Sequence, residues 1–365
     1  MRTDVAGAGR AAGQAESFRK GGFEYISGEI EKALRDGTRK VTVTGNWEID
    51  RAVGLPSDFS LTLSDCHLRM ADGCFSNMFT NEHCYTTEGR RPEGADRKIT
   101  VEGAGRAILD GGEYNGLSER NELKDGMPPI WKNNLLLFSN VDGFRISGIE
   151  CRNMRWWALN FLYCRNGYLG SISFCANDTG IGPDGIPYRG LKRAKYEEVL
   201  VKNADGIDLR QGCHDIVIEN ITGFTEDDTV ALTALDGLLE RTFRVEDLPS
   251  DICNVRIRNV RAAAYCSIVR LLNQGDIKLH DIEIDGVCDM SEGSPHMDRG
   301  IYAVRIGDTH MYGPRHATED ETYGITVKNV RGRGDYVLGL CGAVGDLALE
   351  NIEAAPGTKL IRDQR

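Results

Sequence analysis

Five acidic side chains fall within two short segments of this chain, Asn203-Ala204-Asp205-Gly206-Ile207-Asp208 and Glu226-Asp227-Asp228-Thr229. Asp227 follows Asp205 by 22 residues. Between them, Asp215-Ile216-Val217-Ile218-Glu219-Asn220-Ile221 alternates apolar and polar residues as a half-buried strand does. A chain that coils once over such a span brings Asp227 back to the angular position of Asp205. Adjacent strands lie roughly 4.7–4.9 Å apart, so Asp205, Asp227 and Asp228 would share one patch of surface. Carboxylates crowded in this way repel, and at least one pKa rises. Such a cluster holds a metal or transfers protons. Glycoside hydrolysis needs two such states: a protonated carboxyl on the leaving oxygen, and an ionised one that activates water or attacks the sugar. Inverting pairs stand about 6.5–9.5 Å apart and retaining pairs about 5–5.5 Å; neighbouring coils permit either.

The coil itself is legible as a repeat. The pattern apolar-x-apolar-x-Asn/Asp-apolar recurs at Ile216–Ile221, Val255–Val260, Ile277–Ile282, Ile325–Val330 and Leu347–Ile352. Its Asn/Asp positions, Asn220, Asn259, Asp281, Asn329 and Asn351, step by 39, 22, 48 and 22. The step of 39 reads as one coil plus an excursion through residues 237–249. The step of 48 reads as two coils, with Val304-Arg305-Ile306 in the middle one. Looser members occur at Phe144–Ile149 and Tyr168–Phe174. An evenly spaced sandwich explains alternation but not this period. The expected fold is all-β, a single parallel β-helix, whose ladder of short repeats grows along one axis without a domain boundary.

Other elements follow in chain order. Residues 1–23 read as an N-terminal extension and 24–365 as one β-helix catalytic domain. Residues 24–36 predict an amphipathic helix with Ile26, Ile30, Ala33 and Leu34 apolar, placed to cover the first coil's open edge. Leu61–Leu63 with Leu68–Met70, and Ile99–Gly103 with Ala107–Gly112, predict further coils. His83, in a loop over residues 75–92, reads as a surface histidine with no metal-spaced partner. One of Trp156 and Trp157 is expected inward, and its neighbour outward as a platform for a sugar ring. Residues 177–196, with Tyr188, Arg189, Lys192, Arg193 and Lys195, interrupt the pattern and predict a basic loop beside the acidic face.

A net charge of −11 leaves no basic face of the kind nucleic acid requires. No apolar run is long enough for a membrane span. Eleven cysteines without a CxxC pair read as free thiols; with no secretory leader in view, they predict a cytoplasmic protein.

The acidic segments resemble those of the polygalacturonase family of glycoside hydrolases, family 28. Asn203–Asp208 is similar to that family's Asn-Thr-Asp-Gly segment and Glu226-Asp227-Asp228 to its Asp-Asp segment. Ala303-Val304-Arg305-Ile306 is similar to its Arg-Ile-Lys, and Asp110-Gly111-Gly112 to an upstream Asp-Gly-Gln-Gly. The resemblance covers roughly residues 24 to 355. It implies a right-handed parallel β-helix and an inverting hydrolase, with Asp227 as general acid and Asp205 and Asp228 activating water. Asn203, Trp157, Tyr265, Arg270 and Arg305 are the expected substrate-binding residues. No cofactor and no metal are expected, and the partner is an oligosaccharide or polysaccharide.

Two departures alter the expected substrate. Where the family has Gly-His-Gly, this chain reads Ala264-Tyr265-Cys266-Ser267-Ile268-Val269-Arg270, without a histidine, and Gly307 replaces the lysine of Arg-Ile-Lys. In the family these basic groups support the acid and contact a uronate carboxylate. The sugar at the cleavage point is therefore expected to be neutral, or less dependent on a carboxylate, with Arg270 supplying what charge is needed. Two other readings use the same face. One is a lyase holding Ca²⁺ with Asp205, Asp208, Asp227 and Asp228, or a transferase making an intramolecular sugar linkage. The other is a glycan-binding solenoid without catalysis.

Overall fold

Buried and exposed residues alternate along the long strands, and the alternation slips at fixed points. In strand Ile252–Ala264, Val255 and Ile257 face inward, then Arg258 and Asn259 are both exposed before Val260 returns to the core. Asn259 has φ 48°, in the left-handed region that Asn tolerates better than most residues. One such residue turns the strand around the core without breaking its ladders. Asn220 (φ 58°), Asn329 (φ 56°) and Asn351 (φ 51°) turn the same corner. Their side chains bond from coil to coil: Asn259 Nδ2 donates to Asn220 Oδ1 at 2.7 Å, and Asn351 Nδ2 to Asn329 Oδ1 at 2.8 Å.

The computed structural model describes residues 17–112, 130–154, 156–176, 179–181, 187–189, 205–308, 312 and 315–365. The coils build an 11-stranded sheet and a 10-stranded sheet, both with parallel pairing. Inward residues of the two sheets interdigitate in one continuous apolar core. Among them Ile207, Val230, Val269 and Val304 stack in one ladder, facing Ile218, Ile257, Ile284 and Val327 in the other sheet. The architecture is a single-stranded right-handed parallel β-helix.

Three details of the repeat differ from its sequence reading. Asp281 turns a different corner: His280 pairs with Cys253 and Ile282 with Val255, which sets Asp281 opposite Asn254. Gly286 (φ 82°) occupies Asn259's column in that coil, and Asn329 bonds instead to Asp285 Oδ1 at 2.8 Å. Strand Leu279–Asp289 pairs directly with Thr322–Gly332, so the 48-residue step holds a single coil, Gly286 to Asn329, plus the five residues between the two corners. Val304-Arg305-Ile306 belongs to the other sheet of that coil, in strand Tyr302–Ile306. Leu61–Leu63 and Leu68–Met70 likewise lie in one strand, Ser60–Met70, bent at Asp65 (φ 46°). Ile99–Gly103 and Ala107–Asp110 share strand Asp96–Asp110, bent at Gly105 (φ 70°). Both sheets need only alternation, so short patterns do not say which sheet they enter.

The first coil is covered by a helix, Gly22–Arg35. Ile26, Ile30 and Ala33 join the core from it, whereas Leu34 is 37% exposed and faces solvent. Burying an Ile stabilises by about 1.5–3 kcal/mol, so two of them anchor the cap. Its first residue must be glycine, because a Cβ on Gly22 would stand 2.7 Å from the Glu48 carbonyl.

His83 is not a lone surface residue. Its Nδ1 lies 2.8 Å from Asp96 Oδ1, and Asp96 also accepts from the His83 and Asn81 nitrogens and the Ser57 hydroxyl. The partner sits thirteen residues away and meets it only through the fold. All eleven cysteines carry free thiols, six of them buried. Of the expected basic loop, residues 179–181 and 187–189 form a short antiparallel hairpin; Lys192, Arg193 and Lys195 lie outside the described residues. Among the described residues no helix is long and apolar enough to cross a membrane.

Candidate active site

Strands Asp205–Leu209, Val230–Ala234 and Ser267–Asn273 lie side by side in the 10-stranded sheet. Their outward residues form columns along the helix axis. Asp208, Ala231 and Arg270 make one column; Arg210, Thr233 and Leu272 make the next. Ala231 contributes only a methyl group between Asp208 and Arg270, and a cavity of about 340 Å³ opens over it. Asp205, Asp227 and Asp228 line the same cavity, with oxygens that all lie within 4.8 Å of one another.

The coil geometry fixes these carboxylates. The backbone N–H of Asp228 donates to Asp205 Oδ1 at 3.0 Å, across the gap between two coils. Asp205 and Asp228 are buried, and Asp227 is the most open of the three. Burial pushes Asp205 well above the usual carboxylate range, and the charges of Asp208, Asp227 and Asp228 add to it. Asp228 rises to about 6, first through burial and then through Asp227, with Arg270 opposing. Asp208 rises to about 7 through burial, held back by Arg210. The cluster therefore keeps a proton into the neutral range and carries mixed protonation states.

Two arginines flank it. Arg270 Nη1 reaches Asp228 Oδ2 at 3.4 Å, and its guanidinium lies 5.7 Å from the Tyr312 ring. Arg210 is buried between Asp208 Oδ1 at 3.3 Å and Glu240 Oε1 at 2.7 Å, with Asn160 Oδ1 at 3.2 Å. Glu240 also accepts the Gly237 N–H at 3.0 Å, so one carboxylate ties the short helix Leu238–Thr242 to the cavity wall.

Trp156 and Trp157 lie outside the main core, Trp157 as the first residue of strand Trp157–Leu162. With Leu137, Tyr163, Leu239 and Phe243 they form a second apolar cluster beside the cavity. The expectation that one Trp enters the core is thus corrected: the excursion carrying Leu239 and Phe243 covers both. Trp157 lines the cavity, and the Arg210 guanidinium stacks on its ring at 4.0 Å. That face is taken by a cation rather than open to a sugar.

Of the other expected binding residues, Arg270 lines the cavity. Tyr265 does not: it is buried in the main core, at the turn between strands Ile252–Ala264 and Ser267–Asn273. Arg305 stands one coil beyond Arg270 in the same column, 5.7 Å from the Tyr302 ring, and outside the cavity lining. Asn203 lies outside the described residues.

Arg210, Glu240 and Tyr312 line the cavity without having been anticipated there, and Cys266 stands beside its acids. Arg210 was within reach of sequence reasoning, since period 2 puts it on the face of Asp208. Glu240 and Tyr312 come from irregular excursions that carry no period. Cys266, half-buried, bonds its thiol to Asp227; burial and the Asp227 and Asp228 charges push that thiol well above its ordinary pKa.

Among solved structures, the chain is similar to a hyperthermoactive exopolygalacturonase from Thermotoga maritima, with a TM-score of 0.52 and 14% identity, covering 91% of this chain and 84% of that one. It is also similar to an endo-xylogalacturonan hydrolase from Aspergillus tubingensis, with a TM-score of 0.53 and 14% identity, covering 95% and 94%. At such identities the likeness is one of fold. No protein-family profile matches the chain, and no curated protein sequence does.

Proposed function

We propose that this chain is a glycoside hydrolase acting on an oligosaccharide or polysaccharide. The observation that carries the reading is the meeting of Asp205, Asp227 and Asp228 within 4.8 Å at a cavity with an open carboxyl and two buried ones. Asp227, the most open, protonates the glycosidic oxygen. Asp205 and Asp228 hold and polarise the attacking water, with Arg270 keeping Asp228 ionised as the sugar gains positive character. The fold shared with an exopolygalacturonase and an endo-xylogalacturonan hydrolase supports a carbohydrate substrate.

A second reading concerns the stereochemistry. The three acids bring one oxygen each within 4.8 Å of the others, compact enough for one of them to attack the sugar directly. A covalent sugar intermediate on Asp205 or Asp228, passed to water or to a second hydroxyl, is the alternative to direct attack by water. The resemblance to polygalacturonases implies inversion instead. Proton NMR of the first-formed anomer separates the two.

The founding test is a screen of neutral and acidic oligosaccharides read by mass. Hydrolysis adds one water per bond cut; elimination or intramolecular transfer adds none. Full activity in EDTA is expected, and its loss would favour a Ca²⁺-dependent lyase.

A further inference from the structure

The cavity wall leaves hydrogen-bonding groups of both signs unmet. Arg270 is only 6% exposed; Nη1 reaches Asp228, while Nε and Nη2 are buried without a partner. Across Ala231, Asp208 gives Oδ1 to Arg210, and its Oδ2 is buried without a partner. Both residues line the cavity. Folded proteins leave few buried polar groups unmet, because each forfeits its hydration for nothing. Donors and acceptors left open on either side of Ala231, along one column of the sheet, mark what a ligand must bring.

We propose, building on the carbohydrate reading above, that the sugar ring seated here is uncharged and that Arg270 and Asp208 select it by bonding its hydroxyls from opposite sides. A hydroxyl is both donor and acceptor. Its O–H donates a hydrogen bond to Asp208 Oδ2, and a neighbouring hydroxyl oxygen accepts from Arg270 Nε or Nη2. A cation would satisfy Asp208 but leave the arginine's N–H groups empty. A uronate carboxylate would satisfy Arg270 but enter a cavity lined by five carboxyl groups, Asp205, Asp208, Asp227, Asp228 and Glu240, against two guanidiniums. Arg270 already faces Asp228, and Arg210 is held between Asp208 and Glu240. Tyr312, 39% exposed beside Arg270, offers the apolar ring against which a sugar's C–H face packs.

The test is binding and does not require turnover. Ligand-observed NMR with the full chain at neutral pH compares galactose with galacturonate, glucose with glucuronate, and mannose with mannuronate, pairs that differ only at C6. At least one neutral sugar is expected to bind, with its uronate at least about tenfold weaker. Arg270→Gln should abolish the neutral sugar's signal. Asp208→Asn, which keeps an oxygen for Arg210, should narrow the discrimination against the uronate while thermal unfolding stays cooperative; a purely structural role would not move that ratio. A uronate binding as well as its neutral partner, or no neutral sugar binding, overturns the proposal. Neutral-sugar binding without cleavage in the oligosaccharide screen would instead remove the hydrolase reading and leave this one standing.

Discussion

Asp205 Oδ1 accepts the backbone N–H of Asp228 at 3.0 Å, so the first carboxylate is oriented by the backbone of the next coil. The bond fixes Asp205 against the very residue whose charge helps to raise its pKa. All three acids line the cavity, and Asp227 is the least buried of them.

That division of roles sets the first prediction. General acid catalysis contributes about 10²–10⁴-fold, so Asp227→Asn should lose at least that on a substrate with a poor leaving group. A phenolic leaving group needs little protonation, and its rate should fall much less. Asp205→Asn and Asp228→Asn should damage both substrates alike, because water activation is needed whatever departs. Near-wild-type turnover of Asp227→Asn on the poor leaving group would reassign the acid.

Stability should depend on pH through the same groups. Asp208 and Asp228 rise from 3.8 to about 7 and about 6 on folding. The folded state therefore binds more protons than the unfolded chain across this window. The stabilisation is complete below about pH 4 and is lost as pH rises toward 7. Relative to Asp208→Asn, the wild type should lose a few kcal/mol between these limits, given about 1.36 kcal/mol per pKa unit. Urea midpoints of both proteins at pH 4.5 and 7.5 measure it; parallel curves would contradict the assignment.

Arg210 is the most exposed to mutation in energetic terms. Arg210→Met leaves Asp208 and Glu240 facing each other without compensation, and breaking a buried pair costs about 3–5 kcal/mol. The helix Leu238–Thr242 should loosen with it. Hydrogen exchange at residues 237–243 should rise more than at strand Ser267–Asn273; equal change in both would refute a local anchor.

The corner residues offer a stability test away from the site. Asn259 at φ 48° gives Ala a strain of about 1–2 kcal/mol, which Gly avoids. Asn259→Ala should therefore lower the denaturation midpoint more than Asn259→Gly, though both lose the bond to Asn220. The reverse order would mean that the side-chain ladder, rather than the turn, decides the choice of Asn.

The residue pattern carried the coil well, because Asn220, Asn259, Asn329 and Asn351 satisfy a backbone requirement that few residues meet. It misassigned Asp281, since an Asn or Asp at either corner leaves the same local signature. The carboxylates were legible through spacing alone. Arg210–Glu240 and Arg270–Tyr312 were not, because each joins a periodic strand to an excursion whose course depends on tertiary packing. Tyr265 shows the opposite failure: a polar aromatic beside the site by sequence turned into the core by its corner.

The columns described above also make the chemistry indifferent to the length of the molecule. Each coil contacts chiefly the coils above and below it, and the acidic wall draws on the strands from Trp157–Leu162 to Ser267–Asn273. Splicing a whole extra coil in beyond strand Tyr302–Ile306 would lengthen the outward face of the 10-stranded sheet by one strand spacing and leave the Asp205–Asp228 distance untouched. The fold thus separates reach from reactivity: on the hydrolase reading proposed above, a designer could change how many sugar rings are held without redrawing the atoms that act on one of them.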